Sequence, residues 1–262
     1  MIDTVPDILA RIVATKREEL ARRVLPFAEW EQRADLRKSG RRDFVEALRR
    51  RAPAIIAEAK KASPSKGVLA SNFDAARIAA AYERGGAAAI SVLTDETFFQ
   101  GSLNDLEAAR RAIQLPVLRK DFTIASEHIL EAAAYGADAI LLIAAILTAR
   151  QMRDFREQAA RYGMAALVEV HSRREVEAAI ESGAEIIGVN NRDLNTFQVT
   201  LETSLQLAEY LPAGALWVSE SGIHGPEDIA RLRNAGYAAF LVGEHLMQSG
   251  DAEAALVRLM AA

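Results

Sequence analysis

The 262-residue chain contains no cysteine, which removes disulfides, thiolate nucleophiles, cysteine-ligated zinc and iron–sulfur clusters from consideration. It also lacks a long apolar run. The longest, around residues 139–147, falls short of the ~18–20 residues a membrane span requires, and it reads as a buried strand with its sequel. The start, Met1-Ile2-Asp3-Thr4-Val5-Pro6-Asp7, is acidic and has no apolar segment of its own, so a secretory signal is not expected and the cytoplasm is the expected compartment. Positive charge is not in excess: 32 Lys/Arg oppose 36 Asp/Glu, a net −4 that argues against nucleic acid as the main partner. His128, His224 and His245 show no metal-ligand spacing with one another or with carboxylates.

What the chain does have is a regular alternation from residue 54 onward. Eight short runs rich in Ile, Val, Leu and Ala read as strands: 55–60, 88–94, 116–120, 137–143, 165–170, 185–190, 216–220 and 239–243. Helical patterns lie between them over 73–84, 103–113, 126–135, 148–162, 173–182 and 226–235, with Ser or Thr ahead of several and Gly behind most. Strict β-α alternation implies parallel strands with right-handed crossovers. Eight units in this length fit an α/β fold of the (β/α)8 TIM-barrel kind better than an open sheet. Residues 1–53 read as helical (5–23, 28–38, 42–51) with no linker before the first strand. The expectation is one domain, residues 1–262, with an N-terminal helical extension packed on the barrel. Residues 1–52 hold 13 Lys/Arg against 9 Asp/Glu, and the runs Arg22-Arg23, Arg41-Arg42 and Arg49-Arg50-Arg51 suit either a solvated helical face or a positive entrance for an anionic substrate.

In such a barrel, chemistry belongs to the C-terminal ends of the strands. Glu58 and Lys60 stand two apart and share the inward face of the first strand, whereas Lys61 faces the other way. Two inward charges are unfavourable unless paired or used, so a structural ion pair is the alternative. The third strand ends in Arg119-Lys120-Asp121-Phe122. Lys120 there suits a Schiff-base nucleophile, a general acid or an anion ligand, and Arg119 and Asp121 are expected to pair with each other or with nearby helices. Glu169 is a lone carboxylate in the apolar fifth strand and a candidate base; His171, two residues on, reads as a hydrated loop histidine. Asn190, Glu220 and Ser221 close the sixth and seventh strands. Gly222 and Gly243 follow the seventh and eighth, where backbone N–H groups commonly cradle phosphate, although either glycine also fits a plain tight turn.

Seven segments carry a specific resemblance: 56–65 (Ile-Ala-Glu-Ala-Lys-Lys-Ala-Ser-Pro-Ser), 93–102, 118–122, 167–171, 187–194, 219–223 and 241–244. In this order, and with the helical extension before them, they resemble the indole-3-glycerol phosphate synthases. The resemblance implies ring closure, decarboxylation and dehydration of 1-(2-carboxyphenylamino)-1-deoxyribulose 5-phosphate, with neither metal nor organic cofactor. It implies a small phosphorylated substrate as partner, no nucleic acid or membrane, and a monomer or weak homodimer. Position by position it casts Lys120 as general acid on the ribulose carbonyl and Lys60 as partner of the anthranilate carboxylate. Glu58 would position the lysines, Glu169 would act as acid/base in later steps beside Asn190, and Glu220 would line the cavity. Phe99, Phe122 and Leu194 would enclose the aromatic ring, and Arg192 and Ser221 would contact substrate hydroxyl and carboxylate groups. Ser63, Gly222, Gly243 and the Glu244 backbone N–H would hold the phosphate. Many members carry Ser where this chain has Glu244, whose carboxylate is expected to repel phosphate.

Overall fold

The computed structural model describes residues 6–22 and 26–261. Eight parallel strands close on themselves: β1 (Ala54–Ala59), β2 (Ala89–Leu93), β3 (Val117–Lys120), β4 (Ala139–Ile143), β5 (Ala165–Val170), β6 (Ile186–Asn190), β7 (Leu216–Glu220) and β8 (Ala239–Val242). β1 pairs with both β8, through Ile56 and Leu241, and β2, through Glu58 and Ser91, which leaves the barrel without an edge. Helices α1 (Asp7–Arg22), α2 (Phe27–Lys38) and α3 (Phe44–Arg49) precede it. The crossovers contain α4 (Ala75–Arg84), the single turn α5 (Glu96–Phe99), α6 (Leu103–Ala112), α7 (Ser126–Tyr135), α8 (Ala149–Arg161), α9 (Arg173–Glu181), α10 (Glu202–Leu207) and α11 (Pro226–Asn234). Two more, α12 (Glu244–Gln248) and α13 (Ala252–Leu259), follow β8.

The expected helix 5–23 is found as α1, with Val5 and Arg23 outside the described residues. Three side-chain caps lie where the sequence places them, at Ser102, Thr148 and Ser172, whereas α4 starts at Asp74 and not after Asn72. Gly136 ends α7 with φ of 91°, a left-handed turn that favours glycine. The sequence shows no helical pattern in the crossover between β6 and β7. α10 occupies it but is only six residues long and has no side-chain N-cap, so it carries little sequence signal.

Strand parity divides the core in two. Ile55, Ala57, Val117, Ile140, Val168 and Ile187 face the helices, while Ile56, Leu118, Leu141, Leu167, Val218 and Leu241 fill the barrel. The N-terminal extension seals both ends of the inner core. Phe44 and Leu48 of α3 join it beside the strand starts, and Leu9 and Ile12 of α1 join it at the opposite end. α1 is held there by a buried charge: Lys16 Nζ lies 2.9 Å from Asp95 Oδ2 and 3.0 Å from Asp121 Oδ1. Asp121 also accepts from Thr94 Oγ1 and, at 3.1 Å, from Arg119 Nη2; Arg119 reaches Glu131 of α7 at 2.7 Å. The expectation for Arg119 and Asp121 therefore holds in both its forms.

The basic runs at 41–42 and 49–51 do not form an entrance; of the run Arg22-Arg23, Arg22 pairs with Glu18 of the same helix at 3.0 Å and Arg23 lies outside the described residues. Arg41 donates to the carbonyls of Ala133, Ala137 and Tyr162, where α7 and α8 end, at 2.7, 2.6 and 3.0 Å. Arg42 donates to Leu115 O at 2.7 Å and Arg110 O at 3.1 Å. These carbonyls lie at the strand-start end, and guanidinium groups satisfy them there as they satisfy helix C-termini generally. Arg49, Arg50 and Arg51 are exposed, as a solvated face requires.

Lys16 is the part of the extension most sensitive to change. Removing it leaves Asp95 and Asp121 buried around one fewer cation. Lys16→Met is expected to lower the free energy of unfolding by about 3 kcal/mol, read from urea titration near neutral pH. A midpoint equal to the parent's would place α1 outside the cooperative unit.

Candidate active site

A cavity of about 410 Å3 opens at the C-terminal end of the strands, a size suited to a small organic ligand. All fifteen residues singled out in the sequence line it: Glu58, Lys60, Ser63, Phe99, Lys120, Phe122, Glu169, Asn190, Arg192, Leu194, Glu220, Ser221, Gly222, Gly243 and Glu244. Ile8, Leu9 and Ile12 of α1 complete the apolar wall. Sequence reasoning missed these three, since nothing in a helix far from the strands marks which end of the barrel it covers. Among the described residues no group of three or more His, Asp or Glu side chains is arranged to hold a metal ion.

The charged layer sits directly above the apolar interior, because the next inward position of β1, β3, β5 and β7 is charged: Glu58 follows Ile56, Lys120 follows Leu118, Glu169 follows Leu167 and Glu220 follows Val218. Lys60 Nζ is 2.8 Å from Glu58 Oε1. Lys120 Nζ is 2.7 Å from Glu169 Oε2 and 3.2 Å from Glu220 Oε2. Glu58, Glu169 and Glu220 are all less than 5% exposed. Burial alone would push the Lys120 ammonium toward neutrality; the charges of Glu169, Glu220 and Glu58 outweigh it and hold the pKa above the ordinary lysine value. A Schiff-base nucleophile needs the opposite, an amine easily freed of its proton, so this site suits an acid. Burial pushes Glu169 up, but Lys120 and then His171 overcome it, and the carboxyl ends well below its ordinary value. Glu220 goes the other way: burial raises it, Lys120 only partly offsets that, and the neighbouring Glu169 charge raises it further.

Two glycines make room for these carboxylates. A Cβ on Gly188 would lie 2.2 Å from Glu220 Oε1, and one on Gly243 would lie 2.4 Å from Glu58 Oε1. Any side chain at position 243 thus disturbs Glu58 as well as whatever lies above it. Ser221 and Gly222 are both left-handed, with φ of 68° and 77°. The non-glycine of the pair is held by Ser221 Oγ donating to Asn190 Oδ1 at 2.9 Å, and this oxygen also accepts the Arg192 N–H at 3.0 Å. Phe99 and Phe122 stand with ring centroids 6.1 Å apart on one side. On the opposite rim the Glu244 carboxylate is not bare. Its oxygens lie 3.3 Å from Arg192 Nη2 and 3.5 Å from Lys66 Nζ, which offsets the repulsion expected of it.

His171 departs from its reading as a hydrated loop residue. Its side chain is 13% exposed, with Nε2 3.4 Å from Glu169 Oε1. Parity was the available signal: positions 169 and 171 share the inward face of β5 and its extension.

A family model described as indole-3-glycerol phosphate synthase matches residues 9–259. Indole-3-glycerol phosphate synthase of Dechloromonas aromatica is 51% identical over 261 residues, covering 97% of this chain and 99% of the relative. That of Koribacter versatilis is 48% identical over 261 residues, covering 98% and 96%. Among solved structures, a mutant tryptophan synthase alpha-subunit from Pyrococcus furiosus superposes with a TM-score of 0.61 at 13% identity, covering 80% of this chain and 99% of that one. A 3-hexulose-6-phosphate synthase superposes at 0.63 and 14%, covering 79% and 98%. These two likenesses concern the fold.

The site holds three carboxylates against two ammonium groups, and Glu220 is the one whose charge the fold disfavours. A group whose pKa is raised by folding lowers stability above that pKa and ceases to do so as pH falls below its unfolded value. Glu220→Gln is expected to raise Tm near neutral pH by about 2–4 °C per kcal/mol recovered, with the gain narrowing toward about pH 4. Calorimetry of the two proteins across that range checks it. A lower Tm at neutral pH would mean that Lys120 holds the ionised carboxylate favourably.

Proposed function

The chain belongs to the indole-3-glycerol phosphate synthase family of decarboxylating lyases in tryptophan biosynthesis, and from that premise we propose how its cavity divides the work. The enzyme closes the ring of 1-(2-carboxyphenylamino)-1-deoxyribulose 5-phosphate, releases carbon dioxide and then water, and leaves indole-3-glycerol phosphate. Ring closure requires the ring carbon bearing the carboxylate to reach the ribulose carbonyl, whose oxygen becomes negative as the bond forms. Lys120, held cationic among Glu169, Glu220 and Glu58, donates the proton to that oxygen. The placing of Lys120 Nζ in the cavity between the buried carboxylates of Glu169 and Glu220, at 2.7 and 3.2 Å, is the single observation that carries this reading.

The remaining roles follow from position. Lys60, with Glu58 behind it, faces the anthranilate carboxylate and holds the ring near the carbonyl. Phe99, Phe122 and Leu194 take the ring itself. Glu169, ionised and accepting a hydrogen bond from Asn190, takes and returns protons once carbon dioxide has left. Ser221 and Arg192 contact the sugar hydroxyls and the carboxylate. Ser63 and the backbone N–H groups of Gly222, Gly243 and Glu244 hold the phosphate, with Lys66 and Arg192 keeping the Glu244 carboxylate from opposing it. The extension shares the inner core with the strands, which supports reading residues 1–262 as one folding unit. A cysteine-free biosynthetic enzyme suits the cytoplasm, and we take it to act there as a monomer or weak homodimer.

Lys120→Met retains much of the side-chain volume and removes the proton. It is expected to lower kcat by roughly 10²–10⁴-fold, the span typical of one general acid, while substrate Kd changes only modestly because the carboxylate and phosphate contacts remain. Indole fluorescence gives kcat, and equilibrium titration gives Kd. A kcat within about 3-fold of the parent, well short of that span, would leave Lys60 as the acid. A collapse in affinity would make Lys120 mainly an anion ligand.

A further inference from the structure

His171 does not line the substrate cavity, yet its ring is fixed against the carboxylate that does. Nδ1 lies 3.2 Å from Glu175 Oε2, and the His171 backbone N–H donates to the same oxygen at 2.8 Å. Glu175 sits in the first turn of α9 and is itself fixed. Its Oε1 accepts from Ser172 Oγ at 3.1 Å, and its N–H donates to that hydroxyl at 3.3 Å. A carboxylate only accepts hydrogen bonds, so Nδ1 carries a proton. Nε2 is then the nitrogen presented to Glu169. It is buried, makes no hydrogen bond, and lies 3.4 Å from Glu169 Oε1. Lys120 holds the other oxygen of the same carboxylate, Oε2.

The surroundings of the ring are anionic. Glu169 and Glu175 touch it, and the charges of Glu220 on β7 and Asp193 in the β6–α10 loop reach it. Lys120 stands beyond Glu169. The outer edge of the ring opens on a groove that also contains Arg173 and Glu209, so the ring can exchange protons with solvent without passing through the substrate cavity. Burial lowers the imidazole pKa, but Glu175 and Glu169 more than reverse this and leave it above its ordinary value.

The two cations on Glu169 differ in one respect. Lys120 gives its proton away during ring closure, and Glu169 is needed as a base after that. With Lys120 neutral, burial would drive Glu169 toward its protonated form. We infer that His171, clamped by Glu175, is a positioning residue that holds Oε1 of Glu169 and keeps that carboxylate ionised while Lys120 is without its proton. This rests on the roles proposed above for Lys120 and Glu169.

The experiment separates charge from geometry. His171→Gln keeps a donor to Glu169 without the charge, His171→Lys keeps a charge, and His171→Ala keeps neither. Expected are kcat values about 10-fold or more below the parent for Gln and Ala, the order of one lost charge partner, recovery in Lys, and KM little changed in all three. As pH rises through the His171 pKa the cation is lost, so the parent's kcat should decline on the alkaline side. In His171→Lys that decline should move to higher pH. Full activity in Gln, or an alkaline decline unmoved in Lys, overturns the inference, as does a change confined to KM. Glu175→Gln, which touches neither substrate nor Glu169, serves if the position-171 variants do not fold. It should bring the alkaline decline to lower pH, and a profile identical to the parent's overturns the inference equally. Glu169→Gln run in parallel tests the reading beneath: an active variant removes Glu169 as the base, whereas an inactive one leaves that role standing whatever His171 does.

Discussion

The ion pair between Lys120 and Glu169, 2.7 Å apart and buried at the base of the cavity, is the interaction on which the rest of the site depends. Charges so far from water interact strongly with one another and are poorly screened. Neither group could remain ionised there alone. Glu220 and Glu58 contribute to keeping Lys120 cationic, and Lys120, Asn190 and His171 keep Glu169 anionic. The same field that secures these two disfavours a third charge, and Glu220 carries that burden. One environment therefore favours a lysine that stays protonated, a glutamate that stays ionised and a second glutamate drawn toward neutrality, with no difference in residue type between the last two. Groups that act as a unit in this way respond to single replacements non-additively.

A second buried charge network serves the fold more than the chemistry. Lys16 of α1, Asp95 after β2 and Asp121 after β3 join the extension to the barrel mouth, and Arg119 passes the connection on to α7. Asp121 immediately follows Lys120, so the group that anchors the covering helix also anchors the end of the strand carrying Lys120. At the other end, arginines close helix termini and α3 fills the opening. The extension thus acts as two stoppers on one core. Arg41 and Arg42 direct their charge to backbone carbonyls at the strand-start end, and Lys16 directs its own to buried carboxylates.

Much of this is legible in the sequence. A polar residue at an inward position of an apolar strand is conspicuous, which is why Glu58, Lys60, Lys120 and Glu169 could be named; Glu220 came through the family resemblance. Glycine behind a helical pattern marked the stops. His171 was misread because a histidine past the end of a strand looks exposed unless the helix that follows is known to place Glu175 against it. Arg41 and Arg42 were misread because a basic run carries no mark of the carbonyls it will meet. Ile8, Leu9 and Ile12 were missed for a similar reason: an amphipathic helix shows that it has an apolar face, not what that face will cover.

The sequence by itself determined the eight-fold alternation, the inward face of the first strand with Glu58 and Lys60 on it, and the family to which the chain belongs. These are local properties of period and motif, and they hold wherever the strands eventually lie. Which charges meet was decided only by tertiary structure. Lys16 reaches Asp121, Lys120 reaches Glu169, and Glu169 approaches Glu220 because barrel closure brings distant strands into one ring and a helix folds back across it. Protonation states follow from those meetings and from burial, and neither is a property of a residue or of its neighbours in the chain.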